Sequence, residues 1–171
     1  DDWADAVGGQ TGFTIYDATD PTHLSVLAEL TEDADDLDFI STAVHNVFIY
    51  QQGDNAYLAT TADQSEDVQD LHIIDITDPA NPVELSLVGI LDWGGLVSSL
   101  EYGESLLHDL WVQENGGVVM AYLAYWDVGL VLVDITDPTA PVVVGNSDYQ
   151  NPDPITGMDA EGEGHVVVPT S

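Results

Sequence analysis

Lysine and arginine are missing from all 171 residues, while aspartate and glutamate number 32, for a formal charge of −32. Average usage would put about 20 basic residues in a chain this long. The absence excludes Schiff-base lysine chemistry, a phosphate-gripping P-loop lysine, and any guanidinium fork for carboxylate or phosphate. Nucleic acid and anionic membrane surfaces repel such a chain, because binding to phosphates needs cations that release counterions. Cysteine is also absent, which excludes disulfides, thiolate nucleophiles, iron–sulfur clusters and zinc-thiolate sites. There is no run of about 18 apolar residues and no basic-then-apolar start. Any signal or anchor is expected to lie outside this stretch. No Asn-x-Ser/Thr acceptor occurs, so no N-linked glycan is expected. The Gly-x-Ser-x-Gly, His-Glu-x-x-His and glycine-rich nucleotide motifs are all missing.

What is present supports an ordered domain, since 44% of residues are hydrophobic and the mean hydropathy is +0.03. That is enough apolar material to bury a core. The carboxylates, having no side-chain cation except a protonated histidine, must rely on solvent, backbone amides or bound cations. Their mutual repulsion is screened as the Debye length falls from about 10 Å at 0.1 M salt to about 3 Å at 1 M. High salt or divalent ions should therefore stabilise the fold. The acidic surface resembles those of salt-loving archaea and bacteria, although such proteins normally keep some arginine.

Internal repetition decides the fold class. Gly12-Phe13-Thr14-Ile15-Tyr16-Asp17-Ala18-Thr19-Asp20-Pro21 returns as Leu71-His72-Ile73-Ile74-Asp75-Ile76-Thr77-Asp78-Pro79 and as Leu130-Val131-Leu132-Val133-Asp134-Ile135-Thr136-Asp137-Pro138. The anchors Asp17, Asp75 and Asp134 are 58 and 59 residues apart. An apolar run follows each proline, at 24–30, 83–88 and 142–144. Between anchors a second element recurs, a histidine leading a strand: His45-Asn46-Val47-Phe48-Ile49, His108-Asp109-Leu110-Trp111-Val112 and His165-Val166-Val167-Val168. Two copies run into turn residues, Gly53-Asp54 and Gly116-Gly117, and then into another β-favouring run, which is tight-hairpin chemistry.

Each repeat therefore reads as four antiparallel strands, a propeller blade. A short helical turn near 92–105 is the one exception expected. Proline ends the strand at each Asp-x-Thr-Asp-Pro corner, and Asp and Thr side chains can cap the free amides there. Threefold repetition marks the corner as architecture, since catalytic residues seldom occur in equivalent copies.

Leu130-Val131-Leu132-Val133-Asp134 followed by Ile-Thr-Asp-Pro closely resembles the LVIVD repeat, as do the histidine-led strands and Ala56-Tyr57-Leu58-Ala59. The resemblance spans nearly the whole chain and implies a β-propeller of bacterial and archaeal proteins, often secreted or held at the cell surface, with no general enzymatic activity. The repeat here is longer than usual, with insertions at 62–70 and 91–107, where individual function is most readily written.

The resulting expectation is an all-β chain, a single propeller region over 1–171. It comprises a partial blade at 1–30, blades at 43–90 and 106–145, and the first strand of a further blade at 163–171. About three repeats fall short of the four to eight blades of a closed ring, and open edges invite pairing. Another polypeptide, or the rest of a longer chain, is expected to complete the propeller; two copies would make six blades.

Two candidate sites follow. First strands line a propeller's channel, so His45, His108 and His165 are expected to converge, where imidazoles with Asp109, Glu161 and Glu163 would suit a transition metal. The alternative is a repeated structural hydrogen bond at each blade junction. Oxygen-only calcium binding is the second candidate, at Asp33, Asp35, Asp36 and Asp38 beside Glu32, or at Asp63, Glu66, Asp67 and Asp70. The EF-hand spacing is missing, however, and a solvated acidic loop is the safer reading of both clusters. His23 and His72 read as ordinary surface or sheet residues, and Trp93, Trp111 and Trp126 as core rather than a ligand groove. The function expected is a noncatalytic extracellular or cell-surface module of a salt-adapted prokaryote, working within a larger assembly. The competing reading is a metal-dependent enzyme acting at the histidines.

Overall fold

A computed structural model of the chain describes residues 12–31, 43–63, 69–90, 92–93, 106–126, 128–147 and 164–170. Among the described residues, ten strands form three antiparallel sheets. The first sheet pairs β1 (Gly12–Asp17) with β2 (Ser25–Thr31). The second holds β3 (Ala43–Gln52), β4 (Asn55–Asp63), β5 (Gln69–Asp75) and β6 (Val83–Gly89) in chain order. The third repeats that order with β7 (Leu107–Asn115), β8 (Val118–Tyr125), β9 (Gly129–Asp134) and β10 (Val142–Asn146). Among the described residues there is no helix. Most of the stretch expected to turn helical, 94–105, lies outside the described residues. Asp92 at its start closes a turn instead, its carboxylate accepting from Gly89 N at 2.9 Å.

Local chemistry explains the strand ends. Gly116 and Gly117 take positive φ of 63° and 88° in the β7–β8 hairpin, and Gly53 takes 62° in the β3–β4 hairpin. Side chains strain such left-handed backbone, and glycine does not. At the other corner, Asp17, Asp75 and Asp134 each accept the backbone N–H two residues on, at 2.8 to 2.9 Å. Asp20, Asp78 and Asp137 repeat the device at 3.0 to 3.1 Å. Thr77 and Thr136 then accept from Ala56 N and Val119 N, so the corner is stitched to the neighbouring strand. These bonds favour the ionised acids, and their threonine partners hold the carboxyls of Asp17, Asp20, Asp134 and Asp137 below the usual range.

Strand alternation gives every sheet two faces, here called leading and trailing. The leading face of the second sheet carries Phe48, Tyr50, Tyr57, Ala59, Leu71 and Ile73. It forms one core with the trailing face of the third, built from Leu110, Val112, Ala121, Leu123, Val131 and Val133. The first sheet repeats the step: Phe13, Ala28 and Leu30 on its leading face pack on Leu58 and Ile74 of the second sheet's trailing face. Polar ties cross the larger junction, from Gln52 Nε2 to Thr136 O at 3.0 Å and from Ser86 Oγ to Pro138 O at 2.8 Å. Both acceptors belong to the third sheet's Asp-x-Thr-Asp-Pro corner, so the repeated corner serves the blade junction as well as its own turn.

Candidate functional site

The strand register breaks once in each innermost hairpin, and both breaks fall on the repeated histidine. Val44 pairs with Ala62 and Asn46 with Thr61, leaving His45 as the extra residue; Leu107 pairs with Tyr125 and Asp109 with Ala124, leaving His108. A bulge of this kind re-aims a side chain and exposes backbone groups that need partners. Around His45 the threonines of β4 supply them: Thr61 Oγ1 accepts from Asn46 N at 3.0 Å and Thr60 Oγ1 donates to Asn46 O at 2.8 Å.

The bulges bring the expected histidines together. The His45 and His108 rings lie 4.4 Å apart, and those of His108 and His165 lie 4.1 Å apart, both tilted. Trp126 stacks on His108 at 5.3 Å with an interplanar angle of 18°. His108 Nδ1 lies 2.9 Å from His165 O; a carbonyl only accepts, so this nitrogen carries the proton. A cleft of about 70 Å³ opens beside the column, lined by His45, Leu106, Leu107, His108 and Trp126. Trp126 therefore belongs to a cleft wall. Trp93 packs edge-on against Tyr125 in the core, while Trp111 touches Phe48 at the second and third sheets' junction.

Asp109 has a different task from the one its sequence position suggests. Its Oδ1 accepts from Asn46 Nδ2, and its Oδ2 accepts from Val167 N at 3.2 Å. One carboxylate thus clamps β3 on one side and the 164–170 segment on the other. Among the described residues, no group of three or more His, Asp or Glu side chains is placed to hold a metal ion. The histidines meet ring against ring, and Asp109 is spent on β3 and the 164–170 segment. Glu161 and Glu163 lie outside the described residues, as do Glu32, Asp33, Asp35, Asp36, Asp38, Glu66 and Asp67.

Asp70 corrects its expected place in an acidic, calcium-ready loop. It is fully buried at the start of β5, where its oxygens accept from Tyr125 OH at 2.6 Å and Leu107 N at 2.9 Å. Burial pushes its carboxyl up to about 7 against the lowering effect of those bonds, and pushes the Tyr125 phenol up as well. His72 is also buried, with Nδ1 2.7 Å from Glu84 Oε1, whereas His23 is exposed and meets Asp20 at 3.1 Å. Among the described residues, the carboxylates that meet a basic side chain meet a histidine.

Four-stranded sheets in chain order, packed leading face to trailing face around a column of inner-strand histidines, define a repeat protein built from propeller blades. The chain belongs to the LVIVD-repeat family: that family's model matches residues 49–89 and 108–148, one match for each four-stranded sheet. No curated protein and no solved structure matches the chain.

Proposed function

We propose that this chain is a noncatalytic propeller module, working as a structural or interaction part of a larger assembly outside the cell or at the surface of a salt-adapted prokaryote. One observation carries the reading. The residues that recur from blade to blade are engaged with the protein itself, the corner aspartates with backbone amides two residues on and the inner-strand histidines with one another. Side chains used this way hold blades in register. The acidic, cation-free surface favours a salty exterior, where self-repulsion is screened.

Metal analysis of the protein purified in molar KCl tests this reading, with His108→Ala as the comparison. The expected result is no stoichiometric transition metal in either protein, both folded by circular dichroism. One metal per chain, lost in the variant together with a hydrolytic or redox activity, would replace the module by a metal-dependent enzyme acting at the histidine column.

A further inference from the structure

Asp70 stands where the second and third sheets meet beside the histidine cleft. It opens β5 and is 1% exposed, yet the two groups bonded to its side chain belong to the third sheet, Leu107 N at 2.9 Å and Tyr125 OH at 2.6 Å. Leu107 and Tyr125 pair with each other at the open end of the β7–β8 hairpin, next to the register break at His108. This end is held within its own sheet by Trp126 N donating to Leu106 O at 2.9 Å, and from the second sheet by the Asp70 carboxyl. Leu106, Leu107, His108 and Trp126 are four of the five residues that line the cleft. The hairpin end that Asp70 holds is therefore the cleft wall.

The two protonation states of Asp70 make different demands. In the neutral acid, one proton across the 2.6 Å contact with Tyr125 keeps that hydrogen bond whichever oxygen gives it. The carboxylate keeps its donors, Leu107 N, Tyr125 OH and its own amide, but no cation stands against its charge in a chain without lysine or arginine. Burial outweighs those bonds and pushes the carboxyl up to about 7. The titratable neighbours among the described residues do not offset the charge. Tyr125 of β8 is a buried phenol pushed up in its turn, and Asp92, after β6, adds a like charge while Gln69 Nε2 holds it at 3.1 Å. His72, two residues along β5, is paired with Glu84 at 2.7 Å, and His108 of β7 turns Nδ1 to His165 O. By repeat position Asp70 corresponds to Gly129, so no equivalent carboxyl stands at that place in the third sheet.

We infer that Asp70 is a pH-operated latch on the histidine cleft. Protonated, it holds the Leu107 and Tyr125 end against the second sheet. Ionised, it draws water between the sheets, and the 106–108 wall parts from β5 together with Trp126. The cleft is closed in mild acid and opens as pH rises toward neutrality. The latch stands apart from the module reading, which concerns what the blades build and not how one junction responds to pH.

Amide hydrogen exchange in molar KCl tests it, read at Leu107 and Trp126 against Val131 and Val133 in the buried core of the third sheet. A carboxyl that titrates near 7 when closed and near 3.8 when open makes opening about 50-fold easier at pH 7 than at pH 5. Leu107 and Trp126 should lose protection by about that factor, after allowance for the intrinsic pH dependence of exchange. They should do so through a local opening that low urea does not promote, while Val131 and Val133 exchange by the urea-sensitive global route. In Asp70→Asn the two amides should be equally protected at both pH values. Carboxyl-carbon NMR of the wild-type chain supplies a readout that needs no variant: Asp70 should titrate near 7, and the Leu107 amide should shift with the same midpoint. Leu107 protection that is unchanged between pH 5 and pH 7, or that follows Val131 at every urea concentration, overturns the latch. So does a loss that persists in Asp70→Asn, which would assign the effect to the neighbouring histidines. Metal content and activity, which decide the module reading, are untouched by any of these results.

Discussion

Asp70 shows how far one side chain can depart from what its neighbours in sequence suggest. It ends an acidic insertion, and its repeat equivalent is Gly129, so neither composition nor repetition marks it for burial. Only the closure of Tyr125 and Leu107 over it makes it a core residue. With the folded carboxyl near 7 and the unfolded one near 3.8, the native state binds the extra proton. Stability from this group is fully present below about pH 4 and is lost as pH rises through 7. The difference is on the order of 4 kcal/mol. Asp70→Asn removes the titration, and urea midpoints measured from pH 4 to pH 8 should lose the corresponding slope. A slope that survives the substitution would mean the carboxyl is solvated. Asp70→Ala is the harsher change, leaving Tyr125 OH and Leu107 N without their acceptor, at a cost of about 2 kcal/mol or more. The histidines behave in the opposite way. Their recurrence at one repeat position made their meeting legible in the sequence. The bulges at His45 and His108 were not legible, because the extra residue appears only once the register of β3 on β4 and of β7 on β8 is known.

At the scale of elements, the Asp-x-Thr-Asp-Pro corner was readable down to its bonding, because Asp and Thr beside a proline have few other uses at a strand end. Its second role was not readable: receiving Gln52 and Ser86 from the preceding blade depends on how sheets pack. Thr136→Val deletes the acceptor for Val119 N and should cost about 1 kcal/mol, measured as a shift of the urea midpoint; the Thr77→Val change at the equivalent corner should match it. Unequal losses would show that the two corners are not equivalent in energy. The 164–170 segment depends on a glycine for a different reason. A Cβ on Gly164 would stand 2.6 Å from Tyr125 O, too close for any carbon. Gly164→Ala should therefore lift this segment from the third sheet, costing about 1 to 3 kcal/mol. The Val167 amide, held by Asp109, should lose hydrogen-exchange protection while the β8 and β9 amides keep theirs. Equal protection in both proteins would mean the segment shifts to accept the methyl.

For the whole molecule, the charge that excluded most functions also sets the conditions of stability, and two pH effects with different origins can be separated by salt. Repulsion among carboxylates without lysine or arginine acts through solvent and fades as the Debye length shrinks from about 10 Å to about 3 Å between 0.1 M and 1 M salt. At pH 7 the melting temperature should therefore rise with KCl across that range. The penalty on Asp70 arises from burial, and salt does not screen it. In dilute salt, lowering the pH from 7 toward 4 should stabilise the protein on both counts, and Asp70→Asn should keep the part due to surface repulsion. In molar salt the surface part disappears, and the gain that remains should vanish in Asp70→Asn. Further acidification reverses the sign. The corner carboxyls of Asp17, Asp20, Asp134 and Asp137 are held below their usual range, so the stability they supply is present above about pH 4 and is lost as pH falls through their lowered values. In molar salt the stability of the Asp70→Asn protein should thus be level from pH 7 to about 4 and fall below it. A melting temperature that ignores KCl at pH 7 would instead mean that bound cations already neutralise the acidic surface.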